Sequence, residues 1–294
     1  MIEKSRIAVL ITCYNRVEQT LLCLTDFYNA VEKLEIDFII FLVDDNSPDL
    51  TGAIVRDKFP EIIVIQGTGH LYWNQGMRLA WMHAAKHSKF DYFLWLNDDT
   101  RLFKDGLKVL FNDLNAINHH GIIAGICVDP YTNKITYGGR SFSDMLKPNG
   151  SPQSCRYING NVVLIPDCVF KVVGINSPDF LHSYGDYDYG LEVKKKGFDC
   201  CVSSKIVAYC EKNKKLKWNS SELSFTERVK RLSQSSKTGF NLTEHILFVR
   251  KHQIRTNIIL IYLHIYLNLL SPRLYKKVKV LVAKIVTYSF PKMN

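Results

Sequence analysis

Residues 94–100 read Leu-Trp-Leu-Asn-Asp-Asp-Thr, an apolar run that ends in an amide, two adjacent carboxylates and a hydroxyl. Together with the residues before it, Asp91 to Leu96 is too short and too aromatic for a helix and reads as a buried strand, which leaves Asn97, Asp98 and Asp99 at its carboxyl end. Ligands collect at that edge in open α/β sheets. Two acidic side chains side by side repel each other, and a fold tolerates them most easily with a divalent cation or a hydrogen-bonded ligand between them. An Asx-type turn in which Asp99 and Thr100 cap the next helix accounts for the same residues without any ligand. Both readings stay open until the neighbouring segments are considered.

Upstream, Ile7 to Ile11 is wholly apolar, as a central parallel strand is, and it breaks at Thr12-Cys13-Tyr14-Asn15-Arg16. A helix to about residue 33 is expected next. Phe38 to Val43 is a second buried strand, ended by Asp44-Asp45-Asn46-Ser47-Pro48, with a helix over Leu50 to Phe59 and a third strand over Ile62 to Ile65. A loop with Gly67 and Gly69 leads to HLYWNQGMRLAWMHAAKH, where Trp73, Met77, Ala80, Trp81 and Ala84 recur at helical spacing. This alternation predicts an α/β fold with a doubly wound, mostly parallel sheet whose functional loops share one edge.

Downstream, Phe103 to Asn115 reads as a helix and Ile122 to Val128 as an apolar strand. Residues 129–157 read as hairpin and mobile loop, and Ile158 to Pro166 as turn, strand and stop. Asp186 and Asp188 open a helix that stops at Gly197; as carboxylates in a first turn they also serve simply as caps.

The sheet edge is polar in a specific way: Thr12 and Tyr14, then Asp44 and Asp45, then Asn97 to Asp99. An aromatic face stacks on a base, a carboxylate accepts base N–H or ribose hydroxyls, and a metal screens phosphates, so the mixture suits a nucleotide. Neither GxGxxG nor GxxxxGK[ST] follows the first strand, which disfavours dinucleotide enzymes and P-loop ATPases.

The 294 residues suffice for one large domain with an appendage, and 47% hydrophobic with 12% aromatic content describes a globular chain. The formal charge of +10 is unevenly placed, because residues 205–294 hold 18 Lys and Arg against 4 Asp and Glu. Nucleic acid and an anionic membrane face are the ordinary partners of such a tail, and a solvated basic surface is the plain alternative. Eight cysteines without CxxC or zinc-like spacing read as reduced core thiols. The amino terminus reads as a first strand, not an export signal, which predicts a cytoplasmic protein.

ITCYNR, VDDNS, GHLYWNQGMRLA with LNDDT, and GDYDYGLEVKKKG occur in this order and together resemble the inverting, non-processive members of glycosyltransferase family 2, with its A-type nucleotide-sugar fold. The resemblance covers roughly residues 6–210. It implies Thr12 and Tyr14 at a uridine or thymidine base, with Arg16 beside them, and Asp45 at base or ribose. Asn74, Gly76 and Arg78 fall near ribose or diphosphate. LNDDT stands at the DxD motif, so Asn97 and Asp98 are donor contacts and Asp99 is the ligand of Mg2+ or Mn2+. Asp186 falls on the catalytic base. Trp73, His182 and Asp188 are weaker candidates for the acceptor pocket. The chain departs from the family in three places: Gly185 replaces the usual Glu before the base, Glu192 stands where an Arg is common, and no histidine ligand occurs around Tyr209-Cys210-Glu211. QxxRW is absent, which argues against a processive synthase. HLYW and GDYDYG look most like bacterial rhamnosyltransferase-type members that build polysaccharide.

The expected organisation is a catalytic domain over 1–210 and a basic helical region over 211–294. Expected partners are a UDP- or dTDP-type sugar and a glycan or lipid-linked acceptor, with a homodimer as a further option. A nucleotidyltransferase is the rival enzyme, and it lacks a glycine-rich, lysine-bearing signature here. A non-catalytic glycan- or nucleic-acid-binding protein leaves Asp98, Asp99 and Asp186 without purpose, and those charges repel a phosphate backbone, which disfavours nucleic acid. Ile258 to Leu270, interrupted by His264 and Asn268, is shorter than the ~20 apolar residues of a spanning helix. It is expected to lie along the inner face of the cytoplasmic membrane, with Arg273, Lys276, Lys277, Lys279 and Lys284 each worth about 1 kcal/mol at an anionic leaflet, or else to pack as a lid or dimer contact.

Overall fold

The computed structural model describes residues 4–142, 144–212, 218–233, 241–254 and 258–275. The chain divides into two compact units, Met1–Leu181 with Gly185–Lys212, and His182–Tyr184 with Asn213–Asn294.

The first unit is an α/β sandwich. Strands β1 (Ser5–Cys13), β2 (Ile36–Asp44), β3 (Ile63–Gln66) and β4 (Tyr92–Leu96) alternate with helices α1 (Val17–Val31), α2 (Thr51–Lys58) and α3 (Tyr72–His87). After β5 (Arg101–Leu102) come α4 (Gly106–Ala116), β6 (Gly121–Val128), β7 (Ile135–Tyr137), β8 (Gly139–Arg140), β9 (Gln153–Ser154), β10 (Tyr157–Ile158), β11 (Val162–Pro166), α5 (Asp167–Val173), α6 (Gly185–Lys195) and β12 (Asp199–Tyr209). The main sheet runs β3-β2-β1-β4-β11-β6-β12-β5. The pairings make β3, β2, β1, β4, β6 and β12 run one way and β11 and β5 the other, so the sheet is mostly parallel.

Strand alternation builds the two layers. Ile7, Val9 and Ile11 face a core with Cys23, Leu24 and Phe27 of α1 and Leu107, Leu110 and Leu114 of α4. Ala8 and Leu10 face the opposite core, with Met77, Ala80, Trp81 and Ala84 of α3 and Tyr189 and Val193 of α6. Register pairs Cys13 with Asp44 and Leu10 with Trp95, so β1, β2 and β4 end together and their loops share an edge. The turns there are tight: Asn15 and Asn46 have φ of 54° and 61°, a region asparagine enters more readily than other side chains.

Several local expectations change. Asp99 and Thr100 do not cap the next helix, which begins at Gly106 after β5; Thr100 N–H instead closes a turn onto the Asn97 carbonyl at 3.0 Å. The segment read as hairpin and mobile loop carries four short strands, β7 to β10. Seven of the eight cysteines are buried and Cys168 is exposed, all as free thiols.

The second unit, taken by itself, contains α7 (Phe225–Ser233), α8 (Leu242–Lys251) and α9 (Ile258–Leu270). Trp218, Val249, Ile261 and Ile265 form its small core. Asn241 caps α8 by accepting the N–H groups of Thr243 and Glu244, and Tyr184 stacks on Phe248 at 4.9 Å while its hydroxyl meets His245 Nδ1 at 2.8 Å. Lys276, Lys277, Lys279 and Lys284 lie outside the described residues.

Candidate active site

The Asn97-Asp98-Asp99 turn is fixed from several sides. Asn97 N–H donates to the Asn161 carbonyl at 2.9 Å, and Asn97 Oδ1 accepts from Trp73 Nε1 at 2.6 Å. The first pairing follows from β11 lying antiparallel to β4, with Val162 opposite Leu96. Arg16 Nη1 then bridges the two carboxylates, donating to Asp98 Oδ1 at 3.1 Å and Asp99 Oδ2 at 2.7 Å. Arg16 is aimed there by its turn, whose backbone N–H groups at Asn15 and Val17 bond Ser47 Oγ and Asp49 Oδ2 of the neighbouring loop.

Asp98 is buried, and its Oδ2 has no hydrogen-bond partner among the described residues. Burial, with the Asp99 charge beside it, pushes its carboxyl up to about 7 against the pull of Arg16. On the other side of the pair, Cys210 Sγ lies 3.6 Å from Asp99 Oδ1 and accepts from Asn161 Nδ2 at 3.4 Å. Carboxylate oxygens of Asp98 and Asp99 that meet at one cationic group, the Arg16 guanidinium, together with the unsatisfied Asp98 Oδ2, fit a hard divalent cation.

Asp186 sits in the first turn of α6. Its Oδ2 accepts the Gly160 N–H at 3.0 Å and its Oδ1 the Tyr187 N–H at 2.8 Å. Burial pushes the carboxyl up to about 6 even though those N–H groups favour the charged form. A carboxylate fixed by backbone donors and poised near neutrality suits general-base work. Trp73 packs so closely on Gly160 that a Cβ there would lie 2.2 Å from its ring, so one indole braces both the Asn97 turn and the Gly160 donor.

The other sequence candidates fall in two groups. Thr12 is buried against Gly76, where an added Cβ would meet Thr12 Oγ1 at 2.2 Å, and Tyr14 is half exposed at the same edge. Asp45, Asn74 and Arg78, by contrast, are engaged within the fold. Asp45 accepts the N–H groups of Gly69, Leu71 and Tyr72 at 2.7, 2.9 and 3.1 Å and so clamps the loop before α3. Asn74 Nδ2 donates to the carbonyls of Ser177 and Phe180 at 2.9 and 2.6 Å, and its Oδ1 accepts from Asn176 Nδ2 at 2.7 Å. Arg78 bonds the Asn176 carbonyl. Asp188 is buried in α6, and His182 belongs to the second unit whereas Asp186 belongs to the first.

Asn74 also explains why the residue before Asp186 is glycine: a Cβ on Gly185 would lie 2.1 Å from Asn74 Oδ1. Gly160, Asn161 and Cys210 are residues that the sequence reading left out of the site. Ile158-Asn159-Gly160-Asn161 was legible only as a turn before a strand, and a lone buried thiol just past the end of β12 gives no signal of what it faces.

Comparison with known proteins follows the same lines. The model of glycosyl transferase family 2 matches residues 8–169. Among solved structures, a mannosyltransferase from Pyrobaculum calidifontis in complex with GDP-Man and Mn2+ is 13% identical at a TM-score of 0.56, with 98% of this chain and 82% of that chain covered. TarS 1-349 of S. aureus in complex with UDP-GlcNAc is 13% identical at a TM-score of 0.52, with 85% and 72% covered. At these identities the likeness is one of fold. No curated protein matches the sequence.

Proposed function

Because the chain belongs to glycosyl transferase family 2, and is therefore a glycosyltransferase, we propose that it performs an inverting, non-processive transfer from a nucleotide-diphosphate sugar of UDP or dTDP type to a hydroxyl of a glycan or lipid-linked acceptor, in bacterial surface polysaccharide synthesis. The observation that carries this reading is Asp186, whose desolvated carboxylate is held by two backbone N–H groups and has a proton affinity raised to about 6. It takes the proton of the acceptor hydroxyl as the oxygen attacks the anomeric carbon, and attack opposite the leaving diphosphate inverts the configuration.

Thr12, Tyr14, Arg16 and Asp98 are the proposed donor contacts, with Tyr14 presenting an aromatic face to the base. Asp45, Asn74 and Arg78 hold the neighbouring segments in place through the loop and carbonyl contacts described above, and Gly76 packs against Thr12. Asp99 and Asp98 would hold Mg2+ or Mn2+, and the unsatisfied Asp98 Oδ2 supports that fit. When bound, the ion stabilises negative charge on the departing diphosphate. Arg16 places a second positive charge at the same edge. The solved relatives carry UDP-GlcNAc or GDP-Man, one of them with Mn2+, which supports the same donor class. We place the enzyme on the cytoplasmic face of a membrane, where lipid-linked acceptors lie; among the described residues no helix is long and apolar enough to cross one.

Release of nucleoside diphosphate from a panel of UDP, dTDP and GDP sugars, with and without EDTA, tests the proposal. One donor turning over and stopping with EDTA is expected. Turnover that ignores EDTA would remove the metal, and no turnover with any donor and a crude lipid-linked glycan extract would contradict the transfer.

A further inference from the structure

Helix α9 presents an inverted surface. Ile261, Ile265 and Asn268 are buried, while Ile259, Tyr262, Leu263, Tyr266 and Leu270 are 74, 53, 48, 59 and 50% exposed. At 3.6 residues per turn these five fall within an arc of about 100° and run roughly 16 Å along the axis. The solvent side of a surface helix ordinarily carries polar residues. Here it carries two aromatic rings and three aliphatic side chains, with no charged residue anywhere from Ile258 to Leu270. Leu274, 60% exposed, follows the stripe. A contiguous apolar patch of this kind marks an interaction surface.

Charge decides what covers it. Residues 205–294 carry 18 Lys and Arg against 4 Asp and Glu, so a second copy docking through this stripe would bring two strongly cationic segments together. An anionic bilayer offers the opposite: acyl chains for the aliphatic stripe, a headgroup layer for the tyrosine hydroxyls, and negative charge for the basic segments. A 13-residue helix is about 20 Å long, short of the ~30 Å hydrocarbon core, so it fits in the plane of the interface and not across it. A single apolar stripe or a basic patch alone gives only marginal attachment, and the two together make it stable.

We infer that the exposed Ile259-Tyr262-Leu263-Tyr266-Leu270 face of α9 is a docking surface for an anionic lipid bilayer. This deepens the reading of a membrane-face glycosyltransferase and rests on it for its biological use.

Vesicle flotation of the full-length chain without donor tests it. The wild type floats with vesicles of phosphatidylcholine and phosphatidylglycerol and stays behind with phosphatidylcholine alone. Ile259→Glu with Tyr266→Glu lowers the bound fraction at least about tenfold, while the protein elutes as the wild type does and keeps its donor-induced thermal shift. Tyr262→Ser with Tyr266→Ser, which adds no charge, lowers it in the same direction and serves if the first variant fails to fold. Three results would overturn the inference: no flotation of the wild type, equal flotation of all variants, or a wild-type dimer that the substitutions split. Equal flotation with both lipid mixtures would overturn the assignment to anionic lipid. Because vesicle binding and the donor shift are read separately, loss of one does not disguise the fate of the other.

Discussion

Replacing Gly185 by alanine puts a Cβ 2.1 Å from Asn74 Oδ1 and 2.5 Å from its Cγ. A side-chain end usually swings away from such an overlap, but this one is tethered. Asn74 donates to the carbonyls of Ser177 and Phe180 and accepts from Asn176, all in a fully buried position. Moving it breaks two or three buried hydrogen bonds. At about 1 kcal/mol each, with a further penalty for any group left unpaired, the expected loss is about 3 kcal/mol, or roughly 150-fold in the folding equilibrium. Urea unfolding followed by the fluorescence of the buried Trp81 and Trp95 reads this directly; with a slope of about 2 kcal/mol per molar, the midpoint falls by about 1.5 M. In an Asn74→Ala background the two nearest atoms are gone and only the Cβ retained at position 74, 3.0 Å away, is left to give, so the same substitution costs clearly less and the pair is strongly coupled. A Gly185→Ala protein within about 0.5 kcal/mol of wild type would refute the account of why glycine precedes Asp186.

Asp99→Asn replaces the carboxylate proposed to hold the ion with a neutral amide, so Mn2+ titrated calorimetrically should bind at least about tenfold more weakly and transfer should be nearly abolished at ordinary Mn2+, with the melting temperature unchanged; unaltered Mn2+ binding would move the ion elsewhere. Arg16→Gln removes the guanidinium that now bridges Asp98 and Asp99, so Mn2+ binds about as tightly or a few-fold more tightly while donor affinity drops. Weaker Mn2+ binding would show that Arg16 helps to hold the ion. Asp45→Asn turns one of two acceptor oxygens into a donor facing backbone N–H groups, at a cost of about 1–3 kcal/mol; hydrogen exchange at Gly69, Leu71 and Tyr72 should accelerate with it, and unchanged protection would argue against the clamp.

The elements that were legible in the sequence are those whose burial is uninterrupted. β1, β2 and β4 are continuous apolar runs, α3 shows its face through Met77, Ala80, Trp81 and Ala84, and α6 stops at Gly197, which has φ of 88°. β12 was not legible, because Ser203, Ser204 and Lys205 break its apolar pattern. The structure accommodates them at an irregularity in the pairing with β6, where Ser203 Oγ accepts the Ile126 N–H and donates to the Lys205 carbonyl. The site divides in the same way. Asp98, Asp99 and Asp186 announce themselves as acids at element ends. Which groups surround them was hidden, because the Gly160 N–H, Asn161 and Cys210 reach the site through strand pairing across distant segments. Asn74 shows the limit most clearly: its position in the motif suggested a ligand, and its hydrogen bonds all lie within the first unit.

The pH dependence of transfer by the wild type and by Asp186→Asn, at saturating metal, tests the central claim most directly. A base whose proton affinity is raised to about 6 must be unprotonated to act, so kcat/KM of the wild type should fall tenfold per pH unit below about 6 and level off above it. Asp186→Asn should lose about 10²- to 10⁴-fold in turnover, keep its donor affinity and show no inflection near 6. Turnover by Asp186→Asn close to that of the wild type, or an unchanged inflection at reduced rate, would contradict the assignment of Asp186 as the catalytic base.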